Sequence, residues 1–549
     1  MWQFLVGERR GLFIGGTLGF LLFNIFFSEI SLTSNENILY HKREAIKLAR
    51  RYLQKLGYDP KEFDAACAYQ HSNPIRWHLQ QKLGRNVAVD SLENPFLNGD
   101  VWNICFHQNL PADISQEKFY VQITPDGNLK SFDHQIRDGT PAAELTPKEA
   151  MDIAYPFISQ HALFDTSQYE LQQSTEQLNV RRDYIFRWTK VDSILAGSIQ
   201  HEIKIRGNKI EGYAFEFKIP PAKSNEFKQL DNRHEGLHRF IFPIHLMLFI
   251  WLLYEFFRRY KAVKHIQKQG LQLMGFAFIV YLAANLNGLM ASTFERWSNV
   301  NIQSPLFSSE AFQQIVLKGI ILSISIYLAW ILGGLMLREE GRERRLISFY
   351  AILKLKWLTV DVAKAFASAF FLAGCITGFI SIYGYFVSHF FNGMVDQAFF
   401  SDAFDKEFPW LNPLFTGMIS ALSIVIILFL FLSMILKKYR KHQYWVLLPI
   451  LIILQFMGFS EMSFYPHFYS IILRLALGLF IFYIFNKYDV LTTFMTVFIS
   501  ISFIHAIPLV STSNVFFVTS GVSACILLIS TLFVSILGFR RNQIFTVTE

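Results

Sequence analysis

Residues 321–345 read ILSISIYLAWILGGLMLREEGRERR, an apolar run that is followed directly by a cluster of charged residues. No charged residue occurs between 321 and 337, whereas seven of the next eight residues are charged. A hydrocarbon core takes about 20 apolar residues as a helix, and charged side chains inside it are costly. The stretch therefore predicts a membrane-spanning helix near 313–337 that ends where basic residues collect.

Nine further stretches have the same apolar character, which gives about ten predicted spans. Hydrophobic residues make up 52% of the 549-residue chain and charged residues only 17%, below the roughly 25% of soluble proteins. This composition excludes an ordinary soluble protein, a disordered chain and a collagen-like repeat. The other predicted spans lie near 11–30, 240–257, 271–290, 359–387, 413–436, 444–460, 468–486, 490–510 and 515–537.

The basic residues of the loops alternate from one side of these spans to the other. If residues 1–10 are cytoplasmic, the inner segments hold 20 Lys and Arg and the short outer loops hold 2. The positive-inside rule then predicts a multi-pass protein of the bacterial inner membrane with both termini in the cytoplasm. Residues 1–30 would be a retained signal anchor, because no small-residue cleavage site follows the first span. The net charge of +8 therefore indicates contact with anionic lipid, and no nucleic-acid partner is expected.

Residues 31–238 contain no spanning stretch and form an extracytoplasmic domain in this scheme. Two amphipathic helices are predicted, one containing Glu44 and one containing Glu149, because apolar residues recur at helical spacing in both. Alternating strands are predicted after the helices, at 118–123 and 128–134 and then at 183–190, 198–206 and 209–219. Such a duplicated α+β domain resembles the PepSY-like or cystatin-like arrangement. That resemblance implies binding or regulation, with a structural spacer as the alternative.

Two of the four cysteines, Cys67 and Cys105, fall in this domain. In an oxidising compartment they either form a disulfide or stay as two buried thiols, since sequence does not place their Cα atoms. Four cysteines in the whole chain exclude a disulfide-dense scaffold and a Cys-rich zinc module.

The motif His234-Glu235-Gly236-Leu237-His238 matches the H-E-x-x-H zinc pattern. On a helix it places two imidazoles on one face, with Glu235 as general base and His245 as a third ligand. Gly236 and Pro243 weaken such a helix, and a His-rich flank is ordinary at a membrane boundary. A chance match is the favoured interpretation, so no cofactor is predicted and zinc is the alternative.

The nine-span membrane domain, 239–549, resembles a protease family across about 330–525. The matching segments, in order, are Gly333–Glu339, Phe408–Leu411, Gly458-Phe459, Tyr465-Pro466, Phe468–Arg474, Lys487–Thr492, Ile507–Val510 and Asn514–Gly521, with Arg181–Trp188 in the outer domain. The chain thus looks like the large CAAX-protease and bacteriocin-processing (CPBP) intramembrane proteases that carry an outer domain. The resemblance implies a helical protease fold in the bilayer.

The residues that the family uses for catalysis are missing at the corresponding positions. The span after Phe408 should carry paired glutamates and reads SIVII at 423–427 instead. The second and third motifs lack their histidines, and His505 lies about two turns late. Glu339-Glu340 with Arg344 fits E-E-x-x-x-R but lies in a charged loop, where a solvated helix end is favoured. The resemblance therefore implies a relative that has lost catalysis.

A few polar residues lie within the predicted spans. Arg474 is about two turns inside its span, so its charge should be paired, and Glu461 at the end of the preceding span is within reach. The pair is either structural or a ligand contact. Asn285 and Asn287 are expected to bond between helices.

The sequence therefore predicts a non-catalytic membrane protein that binds or regulates a protein partner or substrate through its outer domain. One alternative is an active membrane endopeptidase, either intramembrane or zinc-dependent. Another is small-molecule transport that uses the polar groups around Arg474. No P-loop, G-x-G-x-x-G or G-x-S-x-G motif is present, so ATP-driven transport is not expected.

Overall fold

The computed structural model consists of a sheet domain followed by a helical bundle, with the first helix of the chain packed in the bundle. It describes residues 10–545 apart from 31–37, 95–96, 98, 108–116, 136–142, 161–163, 178–181, 240, 264–266, 290–308, 397–401 and 430–462.

The sheet domain is built on eight antiparallel strands. They are β1 Asp64–Gln70, β2 Val101–His107, β3 Lys118–Ile123, β4 Leu129–Gln135, β5 Glu170–Gln177, β6 Arg182–Asp192, β7 Gly197–Arg206 and β8 Lys209–Lys218. Their order is β1-β2-β3-β4-β8-β7-β6-β5, so two four-stranded meanders meet where β4 pairs with β8. β1 and β5 form the edges. The five strands predicted from alternation are confirmed, and β1, β2 and β5 are additional.

Fifteen α-helices of seven or more residues occur among the described residues. They are α1 Arg10–Ile30, α2 Lys42–Lys55, α3 Asn73–Leu83, α4 Arg85–Leu92, α5 Pro147–Gln160, α6 Pro221–Arg239, α7 Ile241–Arg258, α8 Gln267–Asn287, α9 Ser309–Glu339, α10 Ile347–Leu353, α11 Val360–Phe390, α12 Leu411–Ala421, α13 Phe468–Lys487, α14 Val490–Val510 and α15 Val515–Arg541. A π-helical stretch, Leu422–Phe429, continues α12. Two short strands, β9 Met394–Val395 and β10 Phe464–Tyr465, pair with each other.

The helices α2 and α5 precede the two meanders and pack on the same face of the sheet. Ala45 and Ala49 of α2, and Ala150 and Ala154 of α5, are fully buried, and their small side chains let each helix lie close to the strands. Each helix begins at a cap in which a glutamate bonds back to the preceding turn, as Glu149 does to Thr146 at 2.7 Å. The two predicted helices are therefore present.

Side chains on both faces of the sheet join the two meanders across the β4–β8 seam. On the helix-covered face, the buried His134 of β4 bonds to Glu211 of β8. On the open face, Lys204 Nζ reaches Asp133 Oδ1 at 2.9 Å by passing over Gly212, where a Cβ would lie only 3.2 Å from both side chains. The absent side chain of Gly212 thus leaves room for a salt bridge that crosses a whole strand.

Seven described helices are long and apolar enough to cross a membrane. They contain the stretches Arg10–Phe27, Lys268–Asn287, Phe312–Glu339, Val360–Phe390, Phe468–Lys487, Val490–Val510 and Val515–Arg541. Each coincides with a predicted span. Of the other predicted spans, 240–257 is the helix α7, 413–436 is described only to residue 429, and 444–460 lies outside the described residues.

Loop contacts divide the bundle into two ends. At the end beside the sheet domain, which we call the near end, Asn514 Nδ2 donates to Leu39 O at 2.6 Å. At the opposite, far end, Arg259 of the segment after α7 pairs with Glu339 at 3.2 Å. The far end carries many of the basic residues of the loops between the helices.

The helices α1 and α11 touch through their backbones. A Cβ placed on Gly19 would overlap the carbonyl of Gly374, and one on Gly374 would overlap that of Gly16. Gly378 lies against the Cα of Gly19 in the same way. Small residues four apart permit such close packing between membrane helices. The first helix is thereby held against the bundle over several turns.

We expect Gly19→Ala to destabilise the protein, because the added methyl group must push α1 away from α11. Overpacking of this kind costs about 1–3 kcal/mol. Gly275 of α8 provides the control, since a Cβ there meets nothing within 4 Å, and Gly275→Ala should be neutral or slightly stabilising. Unfolding in detergent, followed by tryptophan fluorescence, measures both. Equal stability of the two variants would contradict the backbone contact.

Candidate functional site

The segment 402–410, here called the junction loop, lies at the near end of the bundle just before α12. Its Ala403 and Phe404 are buried in the hydrophobic core of the sheet domain, and Phe404 contacts Tyr69 of β1 and Phe517 of α15. Charged residues flank this apolar pair on both sides. The junction loop is therefore shared between the sheet domain and the helices.

The junction loop holds the sheet domain through a buried lysine. Lys42, only 4% exposed in the first turn of α2, forms an ion pair with Glu407 and donates to Asp405 O at 3.2 Å. Arg43 lies 3.6 Å from the other oxygen of Glu407. Burial lowers the pKa of Lys42, and the bond to Glu407 opposes that shift. Two cations at a helix N-terminus oppose the helix dipole, and Glu407 compensates for them.

Asn287, the last residue of α8, binds the backbone of the same loop. Its amide nitrogen donates to Phe408 O at 3.1 Å, and its amide oxygen accepts from Phe408 N at 2.7 Å. Its own carbonyl accepts from Glu407 N at 2.8 Å. Asn285, by contrast, bonds within its helix, to Tyr281 O at 2.8 Å. Asn287 thus fixes the loop in place. The hydrogen bond of Asn285 stays within α8 and therefore does not join two helices.

Three ionisable residues of the junction loop form a compact group. Lys406 Nζ lies 2.8 Å from Asp402 Oδ1 and 3.3 Å from Asp405 Oδ1, so one ammonium serves two carboxylates. Asn412 of α12 donates to the other oxygen of Asp402 at 3.1 Å. His505 of α14 is close enough to Asp402 to interact with it electrostatically. The group thereby connects the loop to two helices.

The two carboxylates differ in their affinity for protons. Burial raises the pKa of Asp405 to about 6, with Asp402 adding to the shift and Lys406 opposing it. Burial alone would raise the pKa of Asp402 as well. Lys406, His505 and Asn412 together bring that pKa below its usual value, and the Asp402 side chain keeps 47% of its surface exposed. Asp405 can therefore change its charge near neutral pH while Asp402 stays ionised.

A second contact joins the sheet domain to the near end. Gln80 of α3 donates to Gly393 O at 3.1 Å, beside β9. Tyr465 of β10 donates to Asp231 of α6 at 3.2 Å, and its ring packs on Phe227. The β9–β10 pair therefore binds two helices of the sheet domain.

A buried ion pair lies close to both contacts. Arg76 and Asp100 have no exposed surface, and their nearest side-chain atoms are 2.6 Å apart. His71 and Tyr69 each place a polar atom 3.3 Å from the same Asp100 oxygen. Tyr69 is also the residue that meets Phe404 of the junction loop. The pair thus stiffens the β1 edge where that edge contacts the bundle.

Two of the predicted polar residues in the spans have buried positions. Arg474 of α13 is 3% exposed and donates to Ser463 Oγ at 3.0 Å. Glu461, its predicted partner, lies outside the described residues, so that pairing stays a prediction. His505 is 4% exposed and, through Asp402, belongs to the junction rather than to the surroundings of Arg474.

The H-E-x-x-H residues are divided between two helices of the structure. His234, Glu235 and His238 belong to α6, whereas His245 belongs to α7. The side chains of all four lie outside the described residues, so their use as zinc ligands stays untested. The described part of the chain contains no group of three or more His, Cys, Asp or Glu residues placed to hold a metal.

The paired glutamates at the far end are involved in ion pairs. Glu339 lies 3.2 Å from Arg259, and Glu340 lies 3.5 Å from Arg342. Arg338 also pairs with Glu343, at 2.9 Å. The cluster has the character of a mixed-charge helix end.

Cys67 and Cys105 are both buried free thiols. They lie on neighbouring strands, but Cys67 is opposite Ile104 and Cys105 is opposite Ala66. Because successive side chains of a strand alternate, the two sulfurs point to opposite faces of the sheet. This register leaves them unable to form a disulfide.

No protein-family model, no curated protein and no solved structure matches the chain. The resemblance to CPBP proteases and to PepSY-like domains therefore stays a prediction. The junction loop and the buried charges around it are the strongest basis for a functional proposal.

Lys42→Met should destabilise the protein by about 1–3 kcal/mol, because it leaves the half-buried Glu407 without its charged hydrogen-bond donor. Lys42→Met combined with Glu407→Gln should cost less than the two single changes together, since no buried charge is then uncompensated. Lys47→Met, at an exposed position of the same helix, is the control. Chemical unfolding of the four variants gives the coupling energy, and additive effects would contradict a direct interaction.

Asp405→Asn should make stability less dependent on pH between 5 and 8. The pKa of Asp405 is raised in the folded protein, so its contribution is full below the unfolded value of about 4 and is lost as the pH rises through about 6. The variant should therefore gain about 1.4 kcal/mol on the wild type from pH 5 to pH 8. Unfolding at both pH values measures this, with the exposed Asp59→Asn as control. A constant difference would refute the shift.

Proposed function

We propose that the protein is a non-catalytic membrane receptor or regulator whose sheet domain binds a polypeptide partner and transmits that binding to the helices. The observation that carries the proposal is the junction loop, which is bonded at once to α2, α8 and α12. Any displacement of the sheet domain must move Glu407 or break its buried pair with Lys42. The four charged residues of the loop are therefore tied to the sheet domain and to the helices through the same short segment.

The orientation that we propose places the sheet domain and the near end outside the cytoplasm. The alternation of Lys and Arg in the sequence supports it, and the far-end loops after α7 and α9 are rich in lysine and arginine. We also propose that the sheet domain is a duplication. Each half contains one helix ahead of a four-stranded meander, with α3 and α4 inserted between β1 and β2 in the first half, and the two halves meet through their last strands.

The partner that fits this domain best is an extended polypeptide segment. The β5 strand, ELQQSTEQ, is an edge of the sheet, and its described side chains are exposed along its length. It contains no proline or lysine, two residues that natural edge strands use to discourage pairing, and its only charged residues, Glu170 and Glu176, lie near its ends. Its outward N–H and C=O groups suit the addition of another strand. The opposite edge, β1, lies against the junction loop. The eight-stranded sheet therefore connects an exposed edge, β5, to an edge that contacts the helical bundle.

Selection of extended peptides from a displayed library tests this proposal with a defined probe. Consecutive residues of a strand point their backbone groups to alternate sides, so either Gln173 or Ser174 presents its N–H to a partner. Of Gln173→Pro and Ser174→Pro, the one that removes the outward N–H should abolish binding of a selected peptide. Gln173→Ala and Ser174→Ala should keep it. Loss of binding in neither proline variant would overturn strand addition.

Transmission is tested with the same peptide in nanodiscs. Hydrogen exchange in residues 402–410 should slow at least several-fold on peptide binding, and that change should disappear in Lys42→Met while binding persists. A bound peptide that leaves the exchange of the junction loop unaltered would identify the domain as a binding module without a connection to the helices.

A membrane endopeptidase is the second candidate, because Asp402, Asp405 and His505 converge at the near end. Two carboxyl groups with different pKa values are a common arrangement for acid–base catalysis in enzymes. Cleavage of fluorogenic peptides and of a single-span substrate in nanodiscs, with Asp402→Asn and Asp405→Asn as controls, tests it. Cleavage that both variants abolish would favour this candidate over the receptor.

A further inference from the structure

A cavity of about 400 Å³ opens at the far end of the bundle. It lies among the segment before α10, the first turns of α11 and the link between α13 and α14. Its charged lining consists of Arg344, Arg345, Lys364, Lys487, Asp361 and Asp489. Four cations therefore face two carboxylates.

The two carboxylates do not neutralise the cavity. Asp489 is engaged as the N-cap of α14, accepting from Thr492 N at 2.7 Å, and also accepts from the Ser348 hydroxyl. Burial raises the pKa of Asp489, which disfavours its negative charge there. Asp361 lies in the first turn of α11. Both carboxylates thus sit at helix N-termini, where they offset the helix dipoles rather than the cations.

Arg345 and Lys487 are positioned by the protein, and the other two cations are available for a ligand. Lys487 Nζ donates to the Tyr483 hydroxyl at 2.8 Å. Arg345 donates to Phe485 O at 3.2 Å and also to Asn486 O, which fixes its guanidinium at the end of α13. Arg344 and Lys364 are exposed and form no ion pair with any other described residue. A preorganised arginine beside two exposed cations is a suitable arrangement for an anion with several oxygens.

We propose that this cavity binds a phosphate-bearing anion, either the head group of an anionic phospholipid or a soluble phosphate ester. The N-termini of two long helices, α11 and α14, also lie at the cavity, but Asp361 and Asp489 offset their dipoles, so the positive potential comes from the four cations. The volume lies within the usual range for small-ligand sites of about 300–1,000 Å³. A site at the end of helices long enough to cross a membrane is within reach of lipid as well as of solutes. This inference does not depend on the receptor proposal.

The competing explanation is general attraction of the basic far end to any anionic surface. Two double variants with the same loss of charge separate the explanations. Arg344→Gln with Lys364→Gln removes two cations of the cavity, whereas Lys268→Gln with Lys354→Gln removes two exposed far-end cations outside it. All four positions are exposed, so both proteins should fold, and equal unfolding temperatures without ligand confirm this.

The lipid arm uses the full chain in nanodiscs of phosphatidylcholine with increasing phosphatidylglycerol. Native mass spectrometry counts the retained anionic lipid. The cavity variant should bind it at least tenfold more weakly than wild type, and the control variant should bind within about twofold of wild type. Equal weakening in both variants, or no retained anionic lipid together with no phosphate binding, overturns the proposal.

The soluble arm uses glycerol 3-phosphate and inorganic phosphate with the protein in pure phosphatidylcholine nanodiscs. Saturable binding that the cavity variant loses, and that the control variant keeps, would assign the site to a soluble phosphate compound. Lipid retention without such binding would assign it to a head group. Glycerol 3-phosphate that displaces retained phosphatidylglycerol would show that both use the same cavity.

Discussion

The buried pair of Lys42 and Glu407 is the interaction on which the arrangement of the two parts of the molecule depends. A charge removed from water is costly unless an opposite charge accompanies it, so the buried Lys42 requires the carboxylate of Glu407 beside it. The lysine belongs to the sheet domain and the glutamate to the junction loop of the bundle. Each part therefore carries half of a group that is stable only when the parts are together. Asn287 then holds the loop so that Glu407 stays in position.

The helix α14 connects the two charged regions of the bundle. His505, toward the near end of this helix, influences Asp402, while Asp489 at its start lines the far-end cavity. About 16 residues separate these points, or roughly 24 Å of helix. Gly417 of α12 lies so close to α14 that a Cβ there would overlap the Ser502 side chain. A shift of α14 along its axis would therefore disturb both regions together.

Much of the fold follows from local patterns in the sequence. Apolar runs predicted the helices, and alternation predicted strands such as β3, whose side chains are buried at every second position. The same test misses β2, because all seven of its residues are buried and no alternation exists. It also misses β5, whose side chains are exposed on both sides. A period of two is visible only where one face of a strand is buried and the other is not.

The candidate site was much harder to predict, because its partners are far apart in the chain. Nothing near Lys42 indicates that its partner is Glu407, some 360 residues later. Two local signals were present. Cations at the start of the predicted α2 helix are unfavourable there, and the run DAFDKE at 402–407 places four charges next to an apolar span. Each signal indicates a missing partner, but neither identifies it.

The glycine contact between α1 and α11 has a consequence for how the protein is made. Gly19 leaves the ribosome roughly 350 residues before Gly374, which at about 5–20 residues per second is on the order of 20–70 s of synthesis. During that interval α11 has not been synthesised, so it cannot pack against the glycine residues of α1. The sheet domain and several later helices emerge before α11 does. The contact between α1 and α11 therefore forms late in synthesis. Until then, the glycine face of α1 is open to packing by any other membrane helix that carries small residues.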